Sequence, residues 1–368
     1  MKLIALKDVC KINMGQSPNS SSYNDYGDGM PFFQGNADFG ERYPITRVWC
    51  NTPTKIAQAE DIQISVRAPI GALNYAKEEC CIGRGLAAIT PDRNKVSQDF
   101  IYWALKGKKA ELNDKGNGST FKAISRKILE ETMIPDINFE QQHKCAENLE
   151  KIYGIIQNRR KELLALDDLI KARFVEMFDG KYPEDTLLNL CNIIDYRGKT
   201  PKKVERGLPF ITAKNVKMHH MTLEPLEYIS KETYDKVMVR GFPKEGDVVF
   251  TTEAPLGNVC RIPHFNTEFY IGQRIVTMQT EELNPTYLEY ALSAEEFIRK
   301  YMGNSSGSTV IGIRVRLLEQ LTIQVPPRGL QDEFAIFVEQ VDKSKVAVQK
   351  ALDETQTLFD SLMQEYFG

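Results

Sequence analysis

Two stretches of the chain carry apolar residues at helical spacing over a long distance. From about Phe139 to Met177 there is no proline and only one glycine, Gly154, and apolar residues fall at Ile152, Ile156, Leu163, Leu166, Ile170 and Met177. This is a 3–4 spacing that skips turns at Arg159 and Arg173. From about Leu330 to Tyr366 there is neither proline nor glycine, and the seam reads Val341, Val348, Leu352, Thr355, Phe359, Leu362, Tyr366, nearly a heptad pattern. Pro135 precedes the first stretch and Pro326-Pro327 the second, while Asp179-Gly180 and Gly368 follow them, as helix breakers should. A helix of ~38 residues is about 57 Å long, and a one-sided apolar stripe of that length must be covered. Packing the two helices on each other covers both stripes. The packing residues are then Ile152, Ile156, Leu163, Leu166 and Ile170 against Val341, Val348, Leu352, Phe359 and Leu362. If they run antiparallel, the globular parts sit at opposite ends of a rod. The alternative is that each helix packs only on its own globular part.

The remainder reads as mixed α/β, an α/β (α+β) fold class. Asp61–Val66, Asp247–Thr251 and Ile275–Met278 have the β-branched, apolar character of strands. Short helices are expected over Gln98–Leu105 and Pro285–Tyr301, and loops over Ser17–Ser22 and Gly303–Ser308.

The apolar pattern occurs twice. Leu6-x-x-Val9-Cys10-x-Ile12 matches Leu187-x-x-Leu190-Cys191-x-Ile193. Gly15-Gln16-Ser17-Pro18 is followed in the second copy by Gly198-Lys199-Thr200-Pro201, and Gly29-Met30-Pro31-Phe32-Phe33 by Gly207-Leu208-Pro209-Phe210-Ile211. Then come Ala68-Pro69-Ile70-Gly71 with Ala254-Pro255-Leu256-Gly257, and Ile82-Gly83 with Ile271-Gly272. Phe100-Ile101-Tyr102-Trp103-Ala104-Leu105 pairs with Tyr287-Leu288-Glu289-Tyr290-Ala291-Leu292, Gly118-Ser119-Thr120 with Gly307-Ser308-Thr309, and Ile134-Pro135 with Val325-Pro326. The matches keep strict order, which marks a duplication with changed loops.

Charge and cysteine usage narrow the classes. The net charge is −3, which does not announce a nonspecific nucleic-acid binder but leaves room for a sequence-specific reader with local basic clusters. Seven cysteines, with no Cys-x-x-Cys, argue against a disulfide framework. His143, His219, His220 and His264 lack ligand-spaced partners, so no metal is expected. No apolar run approaches the ~18 residues of a membrane span, and charge at Lys2, Lys7 and Asp8 interrupts the start too early for a signal peptide. A cytoplasmic location is expected.

Catalytic signatures are missing. Pro326-Pro327 is followed by Arg328, not by the aromatic residue an amino-methyltransferase needs. Gly198-Lys199-Thr200 imitates the end of a phosphate-binding loop, but Ile193 stands where its first glycine belongs. Asp179-Gly180-Lys181 lies in the expected linker, and Gly-x-Ser-x-Gly is absent.

The ordered repeat and the helices together resemble the specificity subunit of type I restriction–modification enzymes over essentially the whole chain. Asp195-Tyr196-Arg197-Gly198-Lys199-Thr200-Pro201, Gly207–Ile211, Asn215-Val216, Lys244–Phe250, Gly307-Ser308-Thr309 and Gln324-Val325-Pro326-Pro327 are similar to that family's pattern. So, more loosely, are Gly15–Pro18 and Ala59–Ile62. The family's Pro-x-x-Glu-Gln at the helix start is eroded here to Phe139-Glu140-Gln141-Gln142 and Leu330-Gln331-Asp332-Glu333. The resemblance implies target recognition domains at 1–138 and 180–328 and spacer helices at 139–179 and 329–368, related by a pseudo-two-fold. It implies recognition of a bipartite, asymmetric double-stranded DNA target and no catalysis by this chain. Two modification subunits would carry S-adenosylmethionine and methylate adenine; two restriction/translocase subunits would use ATP and Mg.

Bases are read by Arg, Lys, Asn and Gln at loop ends, and phosphates are held by basic and small polar groups. On the resembling loops, the candidates in the first copy are Gln34, Asn36, Arg67, Arg84, Ser119, Thr120, Lys122 and Lys127. In the second they are Lys199, Thr212, Lys214, Asn215, Gln273, Arg274, Ser308, Thr309, Arg314 and Arg316. Lys127 and Arg316 align and suit phosphates; Lys106, Lys108 and Lys109 form a further basic cluster. Cys10, Cys191, Tyr102, Trp103 and Tyr290 are expected in the core. A non-DNA-binding scaffold with two partner-binding modules is the alternative of a different class, and a modifying enzyme with an unfamiliar site a third.

Overall fold

The computed structural model describes residues 2–117, 122–196, 198, 201–307 and 310–368. The chain divides into two compact units, Met1–Arg160 with Lys350–Gly368, and Lys161–Gln349. Each is mixed α/β with long helical segments.

In the first unit, β1 (Cys10–Met14), β2 (Ile62–Ser65), β3 (Leu73–Tyr75) and β4 (Leu86–Pro91) form an antiparallel sheet in the order β1-β4-β2-β3. Every residue of β2 is buried, and so are the first four of β4; β4 opens on a continuous apolar run, Leu86 to Ile89, whereas β2 alternates as Ile62-Gln63-Ile64-Ser65 and buries its polar side chains as well. The helix Gln98–Gly107 buries six consecutive residues, Phe100 to Leu105. A second sheet runs Tyr23–Asn24, Trp49–Cys50, Met30–Phe33, Cys80–Ile82, Ile56–Ala57 and contains a parallel pair, with Phe32 opposite Cys81.

The second unit repeats this topology. β5 (Asn192–Asp195), β6 (Val248–Thr252), β7 (Leu256–Arg261) and β8 (Ile275–Gln279) pair antiparallel in the order β5-β8-β6-β7. Its second sheet likewise holds a parallel pair, with Phe210 opposite Tyr270. Ala68-Pro69 and Ala254-Pro255 are both cis, and Gly71 and Gly257 both have positive φ, +83° and +93°. At Gly257 a Cβ would also lie 2.2 Å from the Tyr301 hydroxyl oxygen, so only glycine fits.

The structure corrects two expectations. Leu3 lies opposite Pro135 and Glu184 opposite Gln324, so Pro135 corresponds to Gln324 rather than Pro326. The Ile-Pro and Val-Pro dipeptides look alike but sit two residues out of register. Pro285–Tyr301 is not one helix: Pro285–Ser293 and Glu295–Gly303 are separated by Ala294 in an extended conformation. The bend turns Phe297 and Tyr301 onto Phe250, at ring distances of 6.3 and 5.5 Å. Tertiary packing thus overrides a local sequence with no breaker.

The long helices span Phe139–Phe178 and Arg328–Phe367. Within the first unit, Asn148 bonds the Tyr366 hydroxyl and Arg160 bonds Gln356, so the two segments run antiparallel. Within the second, Asp167 pairs with Lys345 and Arg173 with Glu333, again antiparallel. Of the expected seam, Ile156, Ile170, Val341, Val348, Leu352 and Phe359 are buried, and Ile152, Leu163, Leu166 and Leu362 half-buried. The helices also pack on their globular parts: Phe174 and Phe178 meet Tyr287, Phe334 meets Tyr290 edge-on, and Trp103 meets Tyr153 and Phe359 edge-on.

The motif that reads as eroded at the helix starts retains its last residue. Gln142 and Gln331 are both buried. The Gln142 Oε1 accepts from the Ser97 N–H and its Nε2 donates to the Ile137 carbonyl, both within 2.8 Å. Gln331 does the same with the Asn284 N–H and the Pro326 carbonyl, at 2.8 Å each. Each amide ties a long helix to the N-terminus of the short helix it packs on, satisfying a donor that the short helix leaves open. No helix among the described residues is long and apolar enough to cross a membrane.

Candidate nucleic-acid interface

The expected DNA-facing loops converge through backbone hydrogen bonds that recur in both units. In the first, the Val66 N–H donates to the Gly85 carbonyl, and the Ile124 N–H donates to the Val66 carbonyl, both at 2.9 Å. In the second, the Thr252 N–H donates to the Arg274 carbonyl and the Ile313 N–H to the Thr252 carbonyl, also at 2.9 Å. Isolated bridges join Arg67 to Ala123 and Glu253 to Gly312. Thus Arg67 corresponds to Glu253, Arg84 to Gln273 and Gly85 to Arg274.

This stitching gathers Arg67, Arg84, Lys122 and Gln34 at one edge of the first unit, all exposed. The Gln34 carbonyl accepts from the Gly85 N–H at 3.2 Å, and the Lys122 carbonyl from the Ala68 N–H at 3.1 Å. Gly15 is required here, since a Cβ would lie 2.2 Å from the Gly83 carbonyl oxygen. Ser17, absent from the sequence-derived candidates, links the loops: its hydroxyl bonds the Gln34 side chain and accepts from the Arg84 N–H. Its place in the repeated Gly-Gln-Ser-Pro turn was the available signal. Asn36 is half-buried at the start of the short turn Asn36–Asp38.

In the second unit Thr212, Lys214, Gln273 and Arg274 line one open cavity of about 300 Å³, together with Lys203 and Glu227. Lys203 and Glu227 pair at 2.8 Å, and Arg274 Nε pairs with Glu253 at 2.8 Å. Asn215 does not join them. It is 2% exposed; its Oδ1 accepts from Thr212 and its Nδ2 donates to the Thr222 and Pro225 carbonyls. Its motif position reflects a buried turn whose backbone groups need a partner.

Lys127 is exposed in the short helix Arg126–Glu130, 3.8 Å from Glu131. Arg316 is exposed in the matching helix Val315–Leu318, and Arg314 is exposed at its N-cap. Ser119, Thr120, Lys199, Ser308 and Thr309 lie outside the described residues.

Away from these loops, Trp103, Tyr102 and Tyr290 are core residues, as are Cys10 and Cys191, whose thiols burial pushes up to about 12. Lys106 leaves its expected basic cluster. Its ammonium sits 3.7 Å from the Tyr153 ring centroid and 4.7 Å from that of Trp103, and burial lowers its pKa to about 8. Among the described residues no His, Cys, Asp and Glu side chains group as a metal site.

Comparison with known proteins matches this architecture. The model of the type I restriction modification DNA specificity domain matches residues 1–166 and again 184–355, one match to each repeat. The putative type I restriction enzyme MjaX specificity subunit of Methanocaldococcus jannaschii is 47% identical over 171 residues, which span 46% of this chain and 40% of that relative. The MjaIX specificity subunit of the same organism is 20% identical over 97% of this chain and 90% of its own length. The crystal structure of the type I restriction-modification S subunit from M. genitalium has the same fold, with a TM-score of 0.60 at 16% identity, covering 100% of this chain and 96% of that one. The chain belongs to the type I restriction–modification DNA specificity family, with one specificity domain in each of its two repeats.

Proposed function

We propose that this chain reads a bipartite, asymmetric double-stranded DNA target and directs partner subunits to it. The observation that carries this reading is the double match of the DNA specificity model, one to each structural repeat. Two homologous readers suit two separated DNA segments, as in dimeric DNA-binding proteins. Their equivalent loops carry different side chains, Arg67, Arg84 and Gly85 against Glu253, Gln273 and Arg274, so the half-sites differ. The reading domains are residues 1–138 and 180–328. The long helices, 139–179 and 329–368, set the distance between half-sites.

Two modification subunits dock on those helices, where Leu164, Val175, Ile336 and Val346 are exposed aliphatic residues available to a partner. They bring S-adenosylmethionine and methylate adenine in the cytoplasm; two restriction/translocase subunits bring ATP and Mg. Of the residues on the loops, Gln34, Arg67, Arg84, Lys122, Thr212, Lys214, Gln273 and Arg274 face bases or phosphates. Lys127, Arg314 and Arg316 hold phosphates.

The test is co-expression with the presumed modification partner, followed by sequencing of the host DNA with a method that detects methyl-adenine. One split, asymmetric motif methylated throughout the genome is expected. A stable complex that adds no methylation overturns the proposal.

A further inference from the structure

We propose that Arg274 reads a guanine in the half-site of the second repeat, and that Glu253 is its positioning residue. This rests on the DNA-reading function proposed above and adds the base and the device that selects it.

Arg274 borders the cavity that Thr212, Lys214 and Gln273 also line. Its backbone is fixed, because its carbonyl accepts the Thr252 N–H at the end of β6. The side chain is held too: Nε lies 2.8 Å from Glu253 Oε1 in an ion pair. Glu253 is in turn anchored through its backbone bridge to Gly312. The Arg274 side chain is still 51% exposed. With Nε set against Glu253, Nη1 and Nη2 supply the planar fork that matches the O6 and N7 acceptors on the major-groove edge of guanine. A carboxylate on a surface that meets phosphates repels them, so an acid here needs a compensating role. Holding an arginine in one orientation supplies it, because less side-chain freedom is then lost on binding. A lysine at 274 could not reproduce the fork. The first repeat lacks the device, with Arg67 at the position of Glu253 and Gly85 at that of Arg274, so it belongs to one half-site only.

The test uses the assembled complex of this chain with its modification partner and the DNA target found by methyl-adenine sequencing. Each guanine of the target is replaced singly by 7-deazaguanine, which removes the N7 acceptor, and binding is measured by competition. The wild type should lose about tenfold at one guanine in the half-site assigned to the second repeat, the size of one hydrogen bond to a charged group. R274A and R274K should lose roughly ten- to hundredfold on the natural target. R274A should then be indifferent to the 7-deazaguanine at that position and unchanged at every other.

E253A should discriminate at the same position severalfold less well, and E253Q, whose amide oxygen can sit against Nε in the same place, should recover most of it. A merely structural Glu253 would lower complex stability and affinity for all sequences alike. If the wild type discriminates among targets but no guanine depends on Arg274, or if E253A weakens every sequence equally, this proposal falls and the DNA-reading function stands. If the wild-type complex binds no sequence preferentially, both fall.

Discussion

The two repeats share one backbone plan but solve the same packing problem with opposite chemistry. In the first, Tyr75 on β3 stacks on Tyr102 of the helix Gln98–Gly107, with ring centroids 4.7 Å apart and planes within 13°. The equivalent residues in the second are Arg261 on β7 and Glu289, joined at 2.6 Å, with Glu289 only 2% exposed and also bonded to His219. Trp103 corresponds to Tyr290, which His219 covers at a ring distance of 4.3 Å. Yet the glutamines at the helix starts, Gln142 and Gln331, are identical in type and in bonding. The fold is therefore specified by backbone pairing and by a few buried amides that tie elements together. The interior between them can be aromatic or ionic so long as it fills the same space and leaves no charge unpaired.

This comparison can be broken most severely at the ion pair. Arg261→Ala leaves the Glu289 carboxylate buried with only His219 beside it and should cost about 3 kcal/mol, read as an earlier chemical unfolding of the second unit. Importing the first repeat's solution, Arg261→Tyr with Glu289→Tyr, should recover most of that loss. No recovery would show that the two interiors are not interchangeable.

The shared glutamines sharpen the same point. Gln142→Leu and Gln331→Leu each strand a buried N–H of a short helix and should cost about 2 kcal/mol. The two losses should be equal within error and confined to the unit that carries the change. Unequal losses would mean that the amides do not do the same job.

The smallest effect concerns Lys106, whose counterpart in the second repeat is Ser293. The Lys106 pKa, near 8 in the folded chain, lies below the ordinary 10.5 because burial penalises the charged form. Folding therefore carries that penalty in full below about pH 8 and sheds it as the pH rises to 10.5. The ring faces of Tyr153 and Trp103 offset part of it. Lys106→Met should stabilise the first unit by about 1–2 kcal/mol at pH 7, and the gain should vanish toward pH 10.5. Thermal unfolding at both pH values reads this directly.

The legible part of this molecule was whatever depends on periodicity and punctuation. Pro135 and Pro326-Pro327 placed the starts of both long helices, and the ordered repeat placed equivalent strands in the two units. Contacts between residues distant in sequence were not legible: nothing local announces that Tyr75 meets Tyr102 or that Arg261 meets Glu289. The break at Ala294 was hidden because alanine favours helix, and only Phe250 beneath Phe297 and Tyr301 explains the turn. Asn215 looked like a surface reader because a polar residue in a turn has the same signature whether its amide faces solvent or the buried backbone. Ser17 and Glu253 were missed for a related reason, since their part is to hold Gln34 and Arg274, a relation that exists only in three dimensions.

The central claim is that each repeat reads its own half of a split target. The most direct measurement is the methyl-adenine motif written in the genome by complexes carrying Arg67→Ala with Arg84→Ala, compared with complexes carrying Arg274→Ala. The account predicts that the first pair relaxes positions in one half of the motif only, that Arg274→Ala relaxes a position in the other half only, and that the spacing between halves is unchanged in both. Relaxation of the same half by both sets, or of both halves by either, would contradict it.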